Sequence, residues 1–385
     1  MKILHYFPTT RLTEGGTVRA ALDLSTALAR FGHDVIWLTT DHSDVPEQWG
    51  KEPNTPTVVL LGPLQKSGGR LSPTQVLKAT EAAADVDIVH IHAMWMPSNV
   101  QMATACKRAG TPWVLSSHGM LDDWCMEQRG LKKRIYLATY GRKLVHGAAT
   151  ILTTAEEEKR QASRWLPRDN AVAIPLIVDL EPYTEVPSPA LAEEAFGSFP
   201  NKSVLFLSRV HPKKSIETLI ATASILKERG ETPSFLIAGT GEQQYIDTLL
   251  KQIDQAGLSE QFKFLGMVVG DTKLSLFAHA DVFALPTQQE NFGLVYPEAM
   301  LCETPVITTK GTDIWRELES GGGAVIINRN ATDFADAISN LLADDGKRYE
   351  MGKAARIHML NWLDTGQVVK SYEAMYEKAA TVSAM

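Results

Sequence analysis

The sequence is poor in cysteine and has no long apolar run. Of its 385 residues only Cys106, Cys125 and Cys302 are cysteines, far apart and without paired spacing. This excludes a disulfide framework and a zinc knuckle, and makes a reducing cytoplasm the expected setting. No stretch approaches the roughly 18 apolar residues of a membrane-spanning helix. The opening MKILHYFPTT turns polar too soon for a secretory leader. Short repeats and low-complexity tracts are also missing, so nothing marks the chain as a repeat array or a disordered one.

What is present is an ordinary globular composition, 44% hydrophobic and 22% charged. The length is about twice that of a common single domain, so two cores are expected. The net charge of −7 is unevenly divided. Residues 1–178 carry 20 Lys and Arg against 17 Asp and Glu, and residues 179–385 carry 18 against 28, or +3 and −10. The two halves are expected to face different partners.

Strand-like apolar runs alternate with helical patterns from the start, as in a parallel sheet covered by helices. KILHYF, DVIWLTT, TPTVVLL, DIVHIHA, PWVLSSHG and ATILTTA are the strands of a first doubly wound domain, 1–178. A Lys- and Arg-rich helix is expected over 131–146. After a proline-containing stretch at 173–190 the pattern restarts with SVLFLSR, PSFLIAG, FKFLGMV, DVFALP and TPVITT, giving a second α/β domain, 179–365. The final segment, about 366–385, is amphipathic and expected to pack back on the first domain.

In open α/β sheets ligands bind beyond the carboxyl ends of the strands. The loop QQENFG leaves the strand DVFALP there, and Pro297 sets the start of the next helix near Gly293 or Leu294, because proline costs no hydrogen bond in a first turn. Free N–H groups at that start suit an anion such as phosphate. A carboxylate beside a phosphate repels it, so Glu290 and Glu298, eight positions apart, suit neutral hydroxyls on either side of it. SRVHPKKS brings Arg209, Lys213 and Lys214 to the same edge, where a leaving diphosphate needs positive charge. Gly239 and Gly241 in AGTGEQQ, and Leu265 and Gly266 in FLGMV, mark further strand ends where backbone can approach a ligand. AGTGEQQ lacks the third glycine and the later acid of a dinucleotide site. That argues against a dehydrogenase.

In the first half, Gly15 and Gly16 follow the first strand, and His118 ends SSHG beside Gly119, Asp122 and Asp123. His90 and His92 are expected to be structural. The Asp-x-Asp at 85–87 precedes its strand, at the wrong end of the sheet, and no metal is expected.

In this order and spacing Gly15-Gly16, SSHGM, SRVHPKKS, AGTGE, FLG and E-x7-E resemble the family 4 glycosyltransferases over essentially the whole chain. The resemblance implies a GT-B fold, two Rossmann-like doubly wound domains facing each other across a cleft. It further implies a metal-independent retaining hexosyltransferase with no cofactor beyond its co-substrate, a UDP- or GDP-linked sugar. Arg209 and Lys214 then hold the diphosphate and Glu298 the ribose. Glu290, with Asn291 and the backbone of Phe292, Gly293 and Leu294, holds the donor sugar. Gly16, with Gly15, lies against the phosphates, and His118 lines the reaction centre. Ser215, Glu303 and the PLIVD stretch at 175–179 depart from the family pattern, the first two standing where glycine is usual.

SSHGMLDDW and the run after it resemble, more narrowly, bacterial polysaccharide-assembly transferases. Residues 129–143 hold six cations, Arg129, Lys132, Lys133, Arg134, Arg142 and Lys143, and no acid. Such a run suits an anionic membrane surface, which places the chain in the cytoplasm at the inner face of the membrane with a glycan or lipid-linked saccharide as acceptor. A sugar-nucleotide epimerase, a phosphorylase-like enzyme and a non-catalytic nucleotide-sugar-binding protein share the frame and stay open.

Overall fold

Two separate parallel sheets organise the chain in the computed structural model, which describes residues 1–65, 68–166, 169–199 and 202–381. The first unit is 1–179 with 365–385, and the second 180–364. In the first, β1 (Lys2–Tyr6), β2 (Asp34–Thr39), β3 (Thr57–Leu60), β4 (Ile88–His92), β5 (Trp113–Ser116), β6 (Thr150–Thr153) and β7 (Ala171–Ala173) lie in the order β3-β2-β1-β4-β5-β6-β7. In the second, β8 (Ser203–Leu207), β9 (Ser234–Ala238), β10 (Phe262–Gly266), β11 (Val282–Leu285), β12 (Val306–Thr309) and β13 (Ala324–Ile327) run β10-β9-β8-β11-β12-β13. Every pairing is parallel. Helices cover both faces of such sheets, so central strands read as continuous buried runs; IVHIH, VFAL and VITT are buried at every position.

The order reverses between β1 and β4 in one unit and between β8 and β11 in the other. Crevices open at these reversals, beyond the carboxyl ends of the strands. The helix Thr365–Ala380 buries Val368, Tyr372, Met375, Tyr376 and Ala379, a stripe at helical spacing, against the first sheet.

Three local expectations need correction or explanation. The basic segment 131–146 is two helices, Gly130–Ala138 and Arg142–His146. The break falls at Thr139 (φ −118°, ψ −94°), and Gly141 packs so close to the Tyr136 ring that a Cβ there would sit 2.2 Å from it. The helix after Phe292 is Val295–Leu301, starting later than expected because Gly293 has φ +64° and cannot be helical. Pro297 is its third residue, within the turn whose N–H groups lack partners.

Ser215 (φ +54°) and Glu303 (φ +62°) are both left-handed, which accounts for the family's preference for glycine there. Ser215 Oγ accepts from Gln288 Nε2 (3.4 Å) and Arg329 Nη1 (3.3 Å). The exposed Glu303 has only a 3.9 Å approach to Arg356 Nε. Glu303→Gly is therefore expected to stabilise the second unit by about 0.5–1 kcal/mol, read as a raised urea midpoint. An unchanged or lowered midpoint speaks against strain at this site.

Candidate active site

The loops leaving β8 and β11 meet at the reversal of the second sheet. A single 3-10 turn, Pro212–Lys214, is capped by the His211 side chain, which accepts from Lys213 N–H (3.1 Å). Gln288 N–H donates to the Lys213 carbonyl (2.9 Å), tying the two loops together. Glu290 is pinned through its backbone on both sides: its N–H donates to Gly311 O (2.8 Å), and its carbonyl accepts from Asp313 N–H (2.9 Å). On this frame the Lys214 ammonium, in a residue only 5% exposed, forms an ion pair with the Glu290 carboxylate.

Burial, then the positive charges of Lys213 and Arg209, push the Lys214 pKa down to about 7. The touching Glu290 carboxylate works the other way and favours the charged form. Arg209 is exposed and has no ion-pair or hydrogen-bond partner among the described residues. Lys214 is thus neutralised by Glu290, while the Arg209 charge, felt at Lys214, has no carboxylate on it among the described residues.

Beyond Glu290, the N–H groups of Phe292, Gly293, Leu294 and Val295 find no acceptor among the described residues. A side chain at Gly293 would put its Cβ 2.7 Å from Glu290 Cγ and 2.6 Å from the Tyr296 ring. Phe292 is buried on Trp362, rings 5.6 Å apart at 18°. Asn291 Nδ2 donates to Asp313 Oδ2 (3.1 Å). Glu298 accepts from Lys273 Nζ at Oε1 (2.8 Å), and its other oxygen has no partner among the described residues.

The strand-end glycines of β9 serve the chain's own backbone. A Cβ at Gly239 would lie 1.8 Å from Ser208 O, and one at Gly241 1.9 Å from Val210 O. Val210 N–H donates to Thr240 O (2.8 Å). The pair lets the β9 loop lie against the segment that carries Arg209. Leu265 and Gly266 end the edge strand β10, with Gly266 O accepting from Gly239 N–H (2.6 Å).

In the first unit Gly15 and Gly16 are exposed at the start of the helix Gly16–Arg30, and a Cβ on Gly16 would meet nothing within 4 Å. Among the described residues no neighbouring atom requires glycine at 16. His118 is half-buried and left-handed (φ +49°), and its Nε2 lies 3.2 Å from His92 Nδ1. His92 Nε2 lies in turn 2.9 Å from His5 Nδ1. Its neighbours in sequence have other duties: Asp122 caps the helix Asp123–Glu127, and Asp123 pairs with Arg164 (2.6 Å).

Sequence reasoning missed what holds His118. The carboxylate of Glu158, wholly buried, accepts from Ser117 Oγ (2.8 Å), Gly119 N–H (2.7 Å), Thr154 N–H (2.7 Å) and Thr154 Oγ1 (2.8 Å). It clamps the residues on either side of His118. His5, His90 and His92 bring ring nitrogens within 4.8 Å of one another. Their rings are stacked, His90 on His92 at 4.2 Å and His5 on His92 at 5.2 Å, so in-plane lone pairs do not converge on a point as zinc requires. His90 is also held at both nitrogens, by Tyr376 Oη and Ser116 Oγ (2.7 Å each).

The basic run divides. Lys133 turns inward to Cys125 O and lies over Trp95 (5.2 Å), and Arg134 covers Trp165 (5.4 Å). Arg129 and Lys132 stay exposed beside Leu131 (74% exposed) and Ile135 (54% exposed). Arg142 and Lys143, with Lys107 and Arg108, surround a cavity of about 560 Å3 that also involves Ala103, Trp113 and Gly147. Among the described residues no helix is long and apolar enough to cross a membrane.

Comparison with known proteins follows the two units. Residues 15–176 match the glycosyl transferase 4-like domain, and residues 195–358 the glycosyl transferases group 1. The D-inositol 3-phosphate glycosyltransferase of Nocardia farcinica is 25% identical over 340 residues, 82% of this chain and 74% of the relative. The GDP-mannose-dependent alpha-(1-6)-phosphatidylinositol monomannoside mannosyltransferase of Mycobacterium tuberculosis is 27% identical over 303 residues, 74% of each chain. Among solved structures, Anabaena Alr3699/HepE in complex with UDP superposes with a TM-score of 0.79 at 21% identity, covering 98% of this chain and all of that one. That likeness concerns the fold.

Proposed function

The chain belongs to the GT-B glycosyltransferases, which take a sugar from a nucleotide sugar, and from that membership we propose that it moves a hexose-type sugar from a UDP or GDP donor to a glycan or lipid-linked acceptor with retention of configuration. One observation carries this reading: in the free protein Lys214 is neutralised by Glu290 while Arg209 beside it has no counter-ion among the described residues. A diphosphate supplies the missing negative charge. It takes over Lys214 and meets Arg209, and Glu290 is released to accept hydrogen bonds from sugar hydroxyls. The unpartnered N–H groups of Phe292 to Val295 lie alongside for phosphate or sugar oxygens. Glu298, oriented by Lys273, has one oxygen left for the ribose.

Bond breaking between sugar and diphosphate places charge on the leaving oxygen, which Arg209 and Lys214 stabilise. The acceptor hydroxyl attacks from the same face, and the leaving phosphate oxygen takes its proton. No carboxylate nucleophile is needed, and no residue here is assigned to a metal. Incubation with UDP- and GDP-sugars tests the proposal. Nucleoside diphosphate release that depends on an added acceptor, with an α-linked product from an α-linked donor, is expected. A sugar nucleotide altered without acceptor identifies an epimerase, and a β-linked product removes retention.

A lipid-linked acceptor at an anionic membrane is supported by the exposed Arg129 and Lys132 beside Leu131 and Ile135, with Arg142 and Lys143. Reversing the charge of Lys132, Arg142 and Lys143, and sparing the inward Lys133, is expected to abolish sedimentation with phosphatidylglycerol vesicles. Unchanged sedimentation removes the membrane from the proposal.

A further inference from the structure

A ladder of imidazoles runs through the first unit, from His5 on β1 through His92 on β4 to His118 after β5. The two links, His5 Nδ1 to His92 Nε2 at 2.9 Å and His92 Nδ1 to His118 Nε2 at 3.2 Å, join nitrogen to nitrogen. In each link one ring carries the proton and the other offers its lone pair. His5 and His92 are wholly buried, and burial holds both rings, and His118 with them, neutral at pH 7. A neutral ladder has one proton per ring and two polarities. In the first, each proton sits on Nε2: His118 donates to His92, His92 donates to His5, and the His5 proton is left over. In the second, each sits on Nδ1: His5 donates to His92, His92 donates to His118, and the His118 proton is left over.

Two observations separate them. His5 Nε2 is buried without a partner, so the first polarity strands an N–H in the core, the rarer kind of unsatisfied buried group. Glu158 accepts from Ser117 Oγ (2.8 Å) and Gly119 N–H (2.7 Å), the residues flanking His118. Its carboxylate attracts protons, and the second polarity puts the His5 and His92 protons on the nitrogens facing the His118 end, where Glu158 lies, while the first turns both away. Both point the same way.

We infer that the ladder is locked with its protons on Nδ1, so that His118 offers an N–H at its outer nitrogen, with His92 the positioning residue that fixes this tautomer. His118 Nδ1 has no protein partner among the described residues. The chemical consequence rests on the proposed function: His118 donates a hydrogen bond to an oxygen of the acceptor and does not take the acceptor's proton. The tautomer itself does not rest on that reading.

Long-range 1H–15N correlation spectra of the full chain, labelled with 15N-histidine at pH 7.5, test it. Signals are assigned by their loss in His5→Gln, His92→Gln and His118→Gln. Where a glutamine variant does not fold, the asparagine variant of the same histidine assigns that ring. Protonated Nδ1 and bare Nε2 on all three rings is the expected result. Protonated Nε2 on His118, a doubly protonated ring at any of the three, or the shift pattern of a metal-bound imidazole overturns the inference. No nucleotide sugar enters the experiment, so inactivity toward donors leaves the tautomer standing, and the wrong tautomer leaves the transferase reading standing.

Discussion

Acidification from pH 7 to pH 5 is expected to unfold the first unit. Burial pushes the His5 pKa down to about 3 and that of His118 to about 4, and holds His90 and His92 well below the usual 6.5. In the unfolded chain all four take up a proton near pH 6.5, whereas in the folded unit His5 does so only near 3, His118 near 4, and His90 and His92 well below 6.5. Between those limits the unfolded state binds more protons, so stability falls as the pH falls. Each such histidine contributes about 1.4 kcal/mol per pH unit below 6.5. Four of them reach at most about 5.6 kcal/mol per unit, against a typical total of roughly 5–15 kcal/mol. Melting curves at pH 7, 6 and 5, followed through the buried tryptophans Trp37 and Trp113, should show a steep loss over this range. A melting point unchanged down to pH 4 contradicts four neutral buried imidazoles.

The second large effect is expected from Lys214→Ala. The substitution removes the ammonium that meets the diphosphate. It also leaves the Glu290 carboxylate, now without its cation, where it repels the phosphates. Loss of one partner of a desolvated charge pair costs about 2–5 kcal/mol, so nucleoside diphosphate affinity should drop about 30-fold or more. Arg209 is exposed, and Arg209→Ala should cost less, about fivefold. Glu290→Gln separates charge from position: it frees Lys214, so diphosphate should bind as well or better while sugar transfer is lost. Equal losses of binding in Lys214→Ala and Glu290→Gln would show that the ion pair serves folding and not the donor.

How far the sequence carries this account depends on the range of the interaction. Alternating apolar runs and loop lengths announce both parallel sheets, because strand and helix periods are local. The short edge strands β7 and β13 escaped notice, as did the two helices Ala331–Leu342 and Asp345–Trp362, since nothing catalytic drew attention to them. Arg209, Lys214 and Glu290 were legible because each leaves the carboxyl end of a strand. Glu158 was not: it stands in a run of three glutamates opening a helix, where the helix dipole explains acids without further cause. Only the packing of β5 beside β6 turns the third of them under His118. Lys273 likewise lies 25 residues before its partner Glu298, with no local signal. Gly239 and Gly241 were found for the right property, close approach, but what approaches is the backbone of Ser208 and Val210.

Calorimetric titration of UDP, GDP and the matching monophosphates between pH 7 and pH 9 bears most directly on the diphosphate seat at Lys214. Over this range the phosphates are fully ionised, while Lys214 in the free protein, with its pKa near 7, loses its proton. A diphosphate that binds the charged ammonium should therefore weaken by up to about tenfold per pH unit, take up a proton on binding, and lose this dependence in Lys214→Arg, whose charge does not titrate. Monophosphates should bind weakly at every pH. Diphosphate binding that is flat in pH, or matched by the monophosphate, contradicts the assignment of Lys214 to the diphosphate.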